Sequence, residues 1–349
     1  KNSSALFQLI TYASDMIDNS CNFFHAGDIK LESGEVLPEA KLGYTTFGEL
    51  NTAGDNAVLV LTHFGGTHEN SQYLVGSEMA LDPSRYFIVI VNLFGNGASS
   101  SPSHGMAQNF PTITMADNVF VQQQLLLKEL GVKKLALVVG HSMGGVATYH
   151  WAALFPEWVE RAAPICGAAK ISDHNWVFLE GMRAILTMDP AWLGGMYEAQ
   201  PIDGLRSIAK AWAAWPPSAG FYRQELYRTL GYSSLEDYLL NYWEKTYLSM
   251  DANNVLAQIN TWQSANIGKN RIYGDDFIKA LSSVSAKVYV MPSSTDAYFP
   301  PEDSRNEVGF MPAAELRTIK SEWGHWAGSG RCVADTTFIN EQLLELLET

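Results

Sequence analysis

Five consecutive residues, Gly140-His141-Ser142-Met143-Gly144, constrain the fold of this chain more than any other stretch, because of what surrounds them. They follow a short apolar run at 135–139 and precede a helical pattern that reaches Pro156. A run without alternating polar residues is typical of a strand that is buried on both faces of a parallel sheet. The pattern predicts a tight turn between a buried strand and a helix.

Other short apolar runs repeat this pattern along the chain. They occupy residues 57–63, 86–92, 162–166, 287–291 and 315–319. Helical patterns separate them, including one that Thr114 would cap. Strands that alternate with helices predict an α/β fold in which helices flank a mostly parallel central sheet.

The two ends of the chain extend this arrangement. Strand-like runs at 24–31 and 41–47 flank a Ser-Gly pair, which predicts a β-hairpin. Residues 1–20 have a mixed apolar pattern that fits one helix or a loose arm. Residues 333–347 predict an amphipathic C-terminal helix.

A helix-rich block interrupts the alternation of strands and helices. It contains Trp176, Trp192, Trp212, Trp215, Trp243 and Trp262. Because the block is far longer than an ordinary loop, we expect it to pack as a helical cap, or lid, inserted into the core. The predicted division is a core of residues 1–168 and 284–349, with a cap at 169–283.

The Gly-x-Ser-x-Gly motif in this strand-to-helix context predicts the α/β-hydrolase fold, with Ser142 as a catalytic nucleophile. The following helix points free N–H groups at the same place. A serine hydroxyl needs a base, and in this fold the histidine comes last in the chain. Of the eight histidines, only His325 follows the inserted block, so we expect it to be that base.

The acid of the triad should follow the strand at 287–291. Asp296 lies in that loop and is the preferred candidate to orient His325. Asp303 is the alternative, but it follows Pro300-Pro301, where a new helix is expected to begin. Acidic residues in the first turn of a helix interact favourably with the helix dipole. This explains the presence of Asp303 without a catalytic role.

An oxyanion hole requires two backbone N–H donors. Met143, directly after the nucleophile, should supply the first. The loop after the strand at 57–61 should supply the second, with Gly65 preferred and Phe64 as the alternative. His141 flanks the nucleophile but is expected to point away from the Ser142 hydroxyl. The histidines expected to be surface or packing residues are His25, His68, His104, His150 and His174.

Composition excludes several classes of partner. The formal net charge is −14 and the basic residues are scattered, so no basic face for nucleic acid is expected. No apolar run approaches the ~20 residues of a membrane helix. Three cysteines do not form a disulfide framework, and no intact signal peptide is visible, so we expect a cytoplasmic protein. Nothing in the sequence predicts a cofactor or a metal.

Several blocks, taken in order, resemble the homoserine O-acetyltransferase branch of the α/β-hydrolase superfamily. They are residues 80–87, 139–145, 151–157, 189–195 and 299–304. The resemblance covers most of the chain, from about Leu42 to His325. It implies an acyl-enzyme on Ser142, a cap that roofs a tunnel to it, and a homodimer formed through the cap.

Three features depart from that family. The first is His141, which stands where the family's transferases usually carry Gly. Its transferases usually carry an acidic residue directly after the triad histidine, which engages the homoserine ammonium, but here Trp326 follows His325. A neutral aromatic ring cannot pair with a buried ammonium. The family's arginine-bearing cap stretch is replaced by Trp215-Pro216-Pro217, although Arg223 and Arg228 lie nearby in the chain. We therefore expect a more apolar substrate than homoserine.

Three functions compete. The preferred one is a serine esterase that hydrolyses a carboxylic, short-chain acyl ester, with Phe64, Trp326 and Arg223 as substrate-binding residues. The second is an O-acyltransferase that moves an acyl group from acyl-CoA to an apolar alcohol. The third is an inactive ligand-binding relative, which the complete set of Ser142, Asp296 and His325 disfavours. A small-molecule ester or acyl substrate is the expected partner.

Overall fold

The computed structural model describes residues 20–349 and contains one eight-stranded sheet. The strands are β1 (Asn22–Lys30), β2 (Val36–Phe47), β3 (Ala57–Leu61), β4 (Phe87–Val91), β5 (Leu135–His141), β6 (Arg161–Ile165), β7 (Lys287–Val290) and β8 (Ala314–Leu316). Their order across the sheet is β1-β2-β4-β3-β5-β6-β7-β8. This mostly parallel sheet confirms the predicted fold class.

The antiparallel part of the sheet is confined to one edge. β1 and β2 form the predicted hairpin, and β2 also pairs antiparallel with β4. From β4 onward every neighbouring pair is parallel. Every residue of β3 and β5 is buried, as the unbroken apolar runs predict. The carboxyl ends of these central strands therefore meet at one edge, beneath the inserted helices.

Eleven α-helices occur within residues 20–349. They are α1 (Met115–Gln124), α2 (Met143–Leu154), α3 (Asp173–Thr187), α4 (Ile202–Ala213), α5 (Ala219–Arg223), α6 (Leu235–Tyr238), α7 (Lys245–Leu248), α8 (Ala252–Gln263), α9 (Phe277–Ser282), α10 (Pro301–Val308) and α11 (Val333–Glu348). Thr114 caps α1 as expected, because its hydroxyl accepts a hydrogen bond from the N–H of Asp117. The N-terminal arm considered at 1–20 lies almost entirely outside the described residues.

Helices α3 to α9 come between β6 and β7, in the block that the sequence predicts to be inserted. Two π-helical turns, Leu125–Glu129 and Leu239–Glu244, add to the helical structure. The exact boundaries of a cap at 169–283 stay a prediction. Hereafter "the cap" means residues 169–283.

Two further features are the length of the helices and the state of the cysteines. Across residues 20–349, every helix is too short or too polar to cross a bilayer. Cys21, Cys166 and Cys332 are all free thiols. The expected cytoplasmic location stays a prediction.

Candidate active site

Ser142 occupies the turn between β5 and α2. Its backbone has a φ of 61° and a ψ of −124°, which is a strained combination for a residue with a side chain. Glycine is needed at positions 140 and 144 because other backbone atoms lie too close to leave room for a side chain. A Cβ at Gly140 would lie 2.4 Å from the carbonyl carbon of Gly144, and a Cβ at Gly144 would lie 2.2 Å from the carbonyl oxygen of Leu61. The motif therefore fixes Ser142 at the carboxyl edge of the sheet.

His325 reaches Ser142 from the short 3₁₀ helix that follows β8. Its Nε2 lies 2.8 Å from Ser142 Oγ. The backbone N–H of His325 donates to the carbonyl oxygen of Pro216 at 2.7 Å, which ties this turn to the cap. The ring packs against Tyr298 and Phe299, with centroids 4.9 Å and 5.7 Å away. These contacts fix both the position and the tilt of the imidazole.

Asp296 meets the other ring nitrogen of His325. Its Oδ2 lies 2.8 Å from Nδ1, and its side chain is fully buried. Its Oδ1 accepts hydrogen bonds from the N–H groups of Tyr298 at 2.8 Å and Phe299 at 3.2 Å. In this arrangement the Nδ1–H donates to the carboxylate, which leaves Nε2 free to accept the Ser142 proton.

Asp303, the alternative acid, lies in the first turn of α10, where the proline pair predicts it. Burial, together with the nearby Glu302, raises the pKa of Asp303. Within the described residues, the carboxylate that contacts His325 belongs to Asp296.

The backbone donors expected at an oxyanion hole differ in their contacts. The N–H groups of Met143 and Phe64 donate to no other atom of the described protein. The N–H of Gly65 donates to Oε1 of Gln258 on α8, at 2.6 Å. This contact favours Phe64, the alternative donor, because a buried cap side chain already accepts the Gly65 N–H. The choice between Gly65 and Phe64 stays a prediction.

A cavity of about 260 Å³ opens at Ser142 and His325. Aromatic side chains from the cap and from the His325 turn form much of its wall. Two stacked pairs are prominent, Phe64 on Trp212 with centroids 4.8 Å apart and Trp326 on Trp243 with centroids 5.4 Å apart. The aromatic lining comprises Phe64, Trp212, Tyr242, Trp243, Tyr247, Trp262, Tyr298 and Trp326.

A family model described as the alpha/beta hydrolase fold matches residues 56–329, a range that includes all three clustered side chains. This chain belongs to the α/β-hydrolase family. The hydrolase also lies in the branch that contains the homoserine O-acetyltransferases, as the sequence blocks predict.

Individual relatives of this hydrolase fall into two groups. It is 39% identical over 307 residues to a probable esterase of Corynebacterium glutamicum, covering 86% of this chain and 87% of the relative. It is 36% identical to an ethyl acetate hydrolase of Pseudomonas veronii, covering 93% and 94%. A homoserine O-acetyltransferase of Trichormus variabilis is 31% identical, covering 89% and 90%. The structure of the acetyl esterase MekB superposes with a TM-score of 0.92 at 35% identity, covering 97% of this chain and 100% of that one.

Two of the three substrate-binding candidates line the cavity of the hydrolase, and one does not. Phe64 and Trp326 both form part of its wall. Arg223 is exposed at the end of α5 and is not among the lining residues. The buried side of this short helix is formed by Gly220 and Phe221, and the Phe221 ring packs edge-on against Trp326. The expectation for Arg223 is therefore wrong, because it is on the solvent side of α5.

His141 and His63 also line the hydrolase cavity, although nothing in the sequence assigned either side chain a role in catalysis or binding. The His141 ring lies 4.7 Å from that of His325, and its Nε2–H donates to the His325 carbonyl oxygen at 2.9 Å. The pKa of His63 is lowered to about 4, mainly because the ring is buried. Burial is also the main reason that the pKa of His141 lies well below its ordinary value. Both rings are therefore neutral near pH 7.

His141, Cys166 and His325 lie close enough together that their ligand atoms fall within 4.8 Å of one another. Both ring nitrogens of His325 already contact Ser142 and Asp296. Burial also raises the pKa of the Cys166 thiol well above its ordinary value, which disfavours the thiolate that a metal would need. We assign no metal to this group.

Proposed function

We propose that this α/β-hydrolase is a serine esterase that hydrolyses short-chain acyl esters through an acyl-enzyme on Ser142. One observation carries the proposal: Ser142 Oγ, the His325 ring and the Asp296 carboxylate form a continuous hydrogen-bonded series with two contacts of 2.8 Å. The relatives named as an ethyl acetate hydrolase and as an acetyl esterase support the choice of a short acyl group.

In the acylation step, Ser142 Oγ attacks the carbonyl carbon of the ester while its proton moves to Nε2 of His325. The buried Asp296 carboxylate stabilises the imidazolium that forms. We propose that the unpaired N–H groups of Met143 and Phe64 stabilise the oxyanion. When the tetrahedral intermediate collapses, the C–O bond to the alcohol breaks and the alcohol leaves with the proton from His325.

In the deacylation step, His325 removes a proton from a water molecule that attacks the acyl carbon. The C–O bond to Ser142 then breaks, and the returning proton regenerates its hydroxyl. The carboxylic acid is released. The same groups serve both half-reactions, so the nucleophile that reaches the acyl-enzyme decides between hydrolysis and transfer.

Trp326 favours hydrolysis over transfer to homoserine. It follows His325 directly, is 5% exposed, and stacks on Trp243 in the cavity wall. No Asp or Glu is among the lining residues of the cavity within the described chain. A homoserine ammonium would have no counter-charge there, and an unpaired buried charge costs several kcal/mol.

The cap also supports a proposed quaternary structure. We propose a homodimer formed through the cap, as the family resemblance implies. Large apolar side chains are exposed on α3 and just after it: Trp176, Val177, Met188, Leu193 and Met196. Light scattering of the purified protein would test this state. That neither nucleic acid nor a membrane is a partner stays a prediction.

The function is tested with a panel of acetyl, butyryl and longer esters, assayed alone and again with acetyl-CoA plus homoserine or apolar alcohols. We expect release of free acid from short esters, with Ser142→Ala as the inactive control. Predominant transfer of acetate to an alcohol would instead favour the O-acyltransferase. Failure of every ester and thioester to react would favour a ligand-binding relative.

A further inference from the structure

Arg331 places a permanent positive charge in the wall of the catalytic cavity. It follows His325 by six residues, in the loop that leads into α11, and it is partly buried. Among the described lining residues, it is the sole lysine or arginine. The cavity of this strongly acidic chain, with its formal net charge of −14, therefore carries local positive charge.

The aromatic wall of the cavity holds the Arg331 guanidinium in place. Its Cζ lies 4.3 Å from the centroid of the Trp326 ring and 5.5 Å from that of Tyr242. Its Nη2 donates a hydrogen bond to Tyr242 Oη at 2.5 Å. Trp326 in turn stacks on Trp243. A guanidinium held on a ring face keeps its remaining N–H groups in a fixed plane.

Arg331 has no acidic partner in the described part of the chain. The ion pairs found across residues 20–349 do not include it. The acidic residue next to Trp243 in sequence, Glu244, pairs instead with Arg206 and Lys210. A partly desolvated charge without a counter-ion costs free energy unless a ligand supplies one.

We propose that Arg331 forms an anion subsite in the catalytic cavity, and that the preferred substrates are small esters that also carry a carboxylate. The proposal rests on the proposed esterase function. A carboxylate suits a planar guanidinium because two parallel hydrogen bonds can form between them. The small aromatic cavity favours a compact acid, with its ester carbonyl at Ser142 and its carboxylate at Arg331.

Two pairs of matched esters test the subsite on either side of the ester bond. On the alcohol side, 3-acetoxypropanoate is compared with isopentyl acetate, its neutral branched counterpart. On the acyl side, monoethyl succinate is compared with ethyl 4-methylpentanoate. The readout is the ratio of kcat/KM for the acid to kcat/KM for the neutral ester. Any general loss of activity in a variant cancels in this ratio.

We expect Arg331→Gln to lower this ratio by about 10- to 100-fold in at least one pair, as the loss of a charge-assisted hydrogen bond predicts. Arg331→Lys retains the charge but loses the planar pair of donors, so its ratio should lie between those of the wild type and Arg331→Gln. It reports on the subsite even if the glutamine variant is unstable. Arg223→Met, which removes an exposed arginine outside the cavity, is the matched control and should leave the ratio unchanged.

Three results would overturn the subsite. In the first, neutral esters react but both ratios are the same in the wild type, Arg331→Gln and Arg331→Lys. In the second, Arg223→Met shifts the ratio as much as Arg331→Gln, which would show a general effect of protein charge. In the third, no ester of either pair reacts with the wild type. The proposed esterase function falls only if every ester of the wider panel described above also fails to react, so the two failures are distinguishable.

Discussion

The side chain of His141 holds the backbone of His325, because its Nε2–H donates to the His325 carbonyl oxygen at 2.9 Å. The backbone N–H of His325 donates to the carbonyl oxygen of Pro216 at 2.7 Å. The peptide groups on both sides of the His325 Cα are therefore fixed, one by the residue before Ser142 and one by the cap. This arrangement couples the position of the imidazole to the turn that carries Ser142.

Replacing His141 by Phe should keep the packing of a ring but remove the N–H donor. We expect kcat to fall about tenfold, the equivalent of about 1.4 kcal/mol, with a smaller change in KM. Steady-state kinetics on a short ester measure this. His150→Phe is a matched control, since His150 is buried and bonded within α2 but does not line the cavity. Equal effects of the two substitutions would contradict the positioning role of His141.

Asp296→Asn should lower kcat by about a thousandfold or more, because Asn cannot stabilise the imidazolium and favours the wrong tautomer of His325. Asp303→Asn should change kcat by less than about twofold, since Asp303 lies in the first turn of α10 and does not contact His325. Measuring kcat for both variants separates the two acids. A larger loss with Asp303→Asn would assign the acid role to that residue.

Replacing Gln258 by Leu tests which N–H of the Phe64–Gly65 turn stabilises the oxyanion. Gln258 Oε1 accepts the Gly65 N–H at 2.6 Å, so the substitution releases that donor and loosens the turn. If Phe64 is the working donor, kcat should fall by about tenfold or less. The measurement is kcat on an activated ester. A several-fold increase in kcat would show that Gly65 is the donor and that Gln258 competes with the oxyanion.

Glu307 links the stability of the protein to pH. It is buried on α10, and its Oε1 accepts hydrogen bonds from the N–H groups of Ala169 and Lys170 at 2.8 Å and 3.3 Å. Burial raises the pKa of Glu307 from 4.5 to about 8. The folded state therefore keeps a proton that the unfolded chain loses, so this group lowers stability as the pH rises between these two values.

Glu307→Gln removes this titration while keeping an oxygen for the two N–H groups. We expect the free energy of unfolding of the variant to increase relative to the wild type by about 2 kcal/mol or more between about pH 5 and pH 8. Urea unfolding at both pH values measures the change. Glu302→Gln, an exposed substitution on the same helix, is the control. A constant difference between Glu307→Gln and wild type at both pH values would contradict the raised pKa.

Features that depend on local sequence could be predicted. The unbroken apolar runs located β3, β4 and β5, and the flanking strand and helix patterns located the turn at Ser142. Chain order then left one histidine, His325, in the right place. The proline pair after Asp296 separated the two candidate acids, because it marks the start of α10.

Features that depend on contacts between distant segments could not be predicted. The acceptor for Gly65 is a side chain 193 residues away, and the carbonyl that His141 contacts is 184 residues away. Arg223 was expected in the cavity from its position in the chain, but the face of α5 that it occupies depends on how Phe221 packs. In the sequence there is only a weak indication that Arg331 lies near the site, namely that it closely follows His325. Its contact with Trp326 depends on the path of the loop between them.

The proposed reaction depends most directly on Ser142 as the nucleophile. The decisive measurement is mass spectrometry of the intact and digested protein after brief exposure to 4-nitrophenyl acetate, for the wild type and for Ser142→Ala. We expect one acetyl group on Ser142 in the wild type. The variant should carry no acetyl group and should lose ester turnover while remaining folded by circular dichroism. Acetylation of another residue during turnover, or undiminished turnover by a folded Ser142→Ala variant, would contradict the central claim.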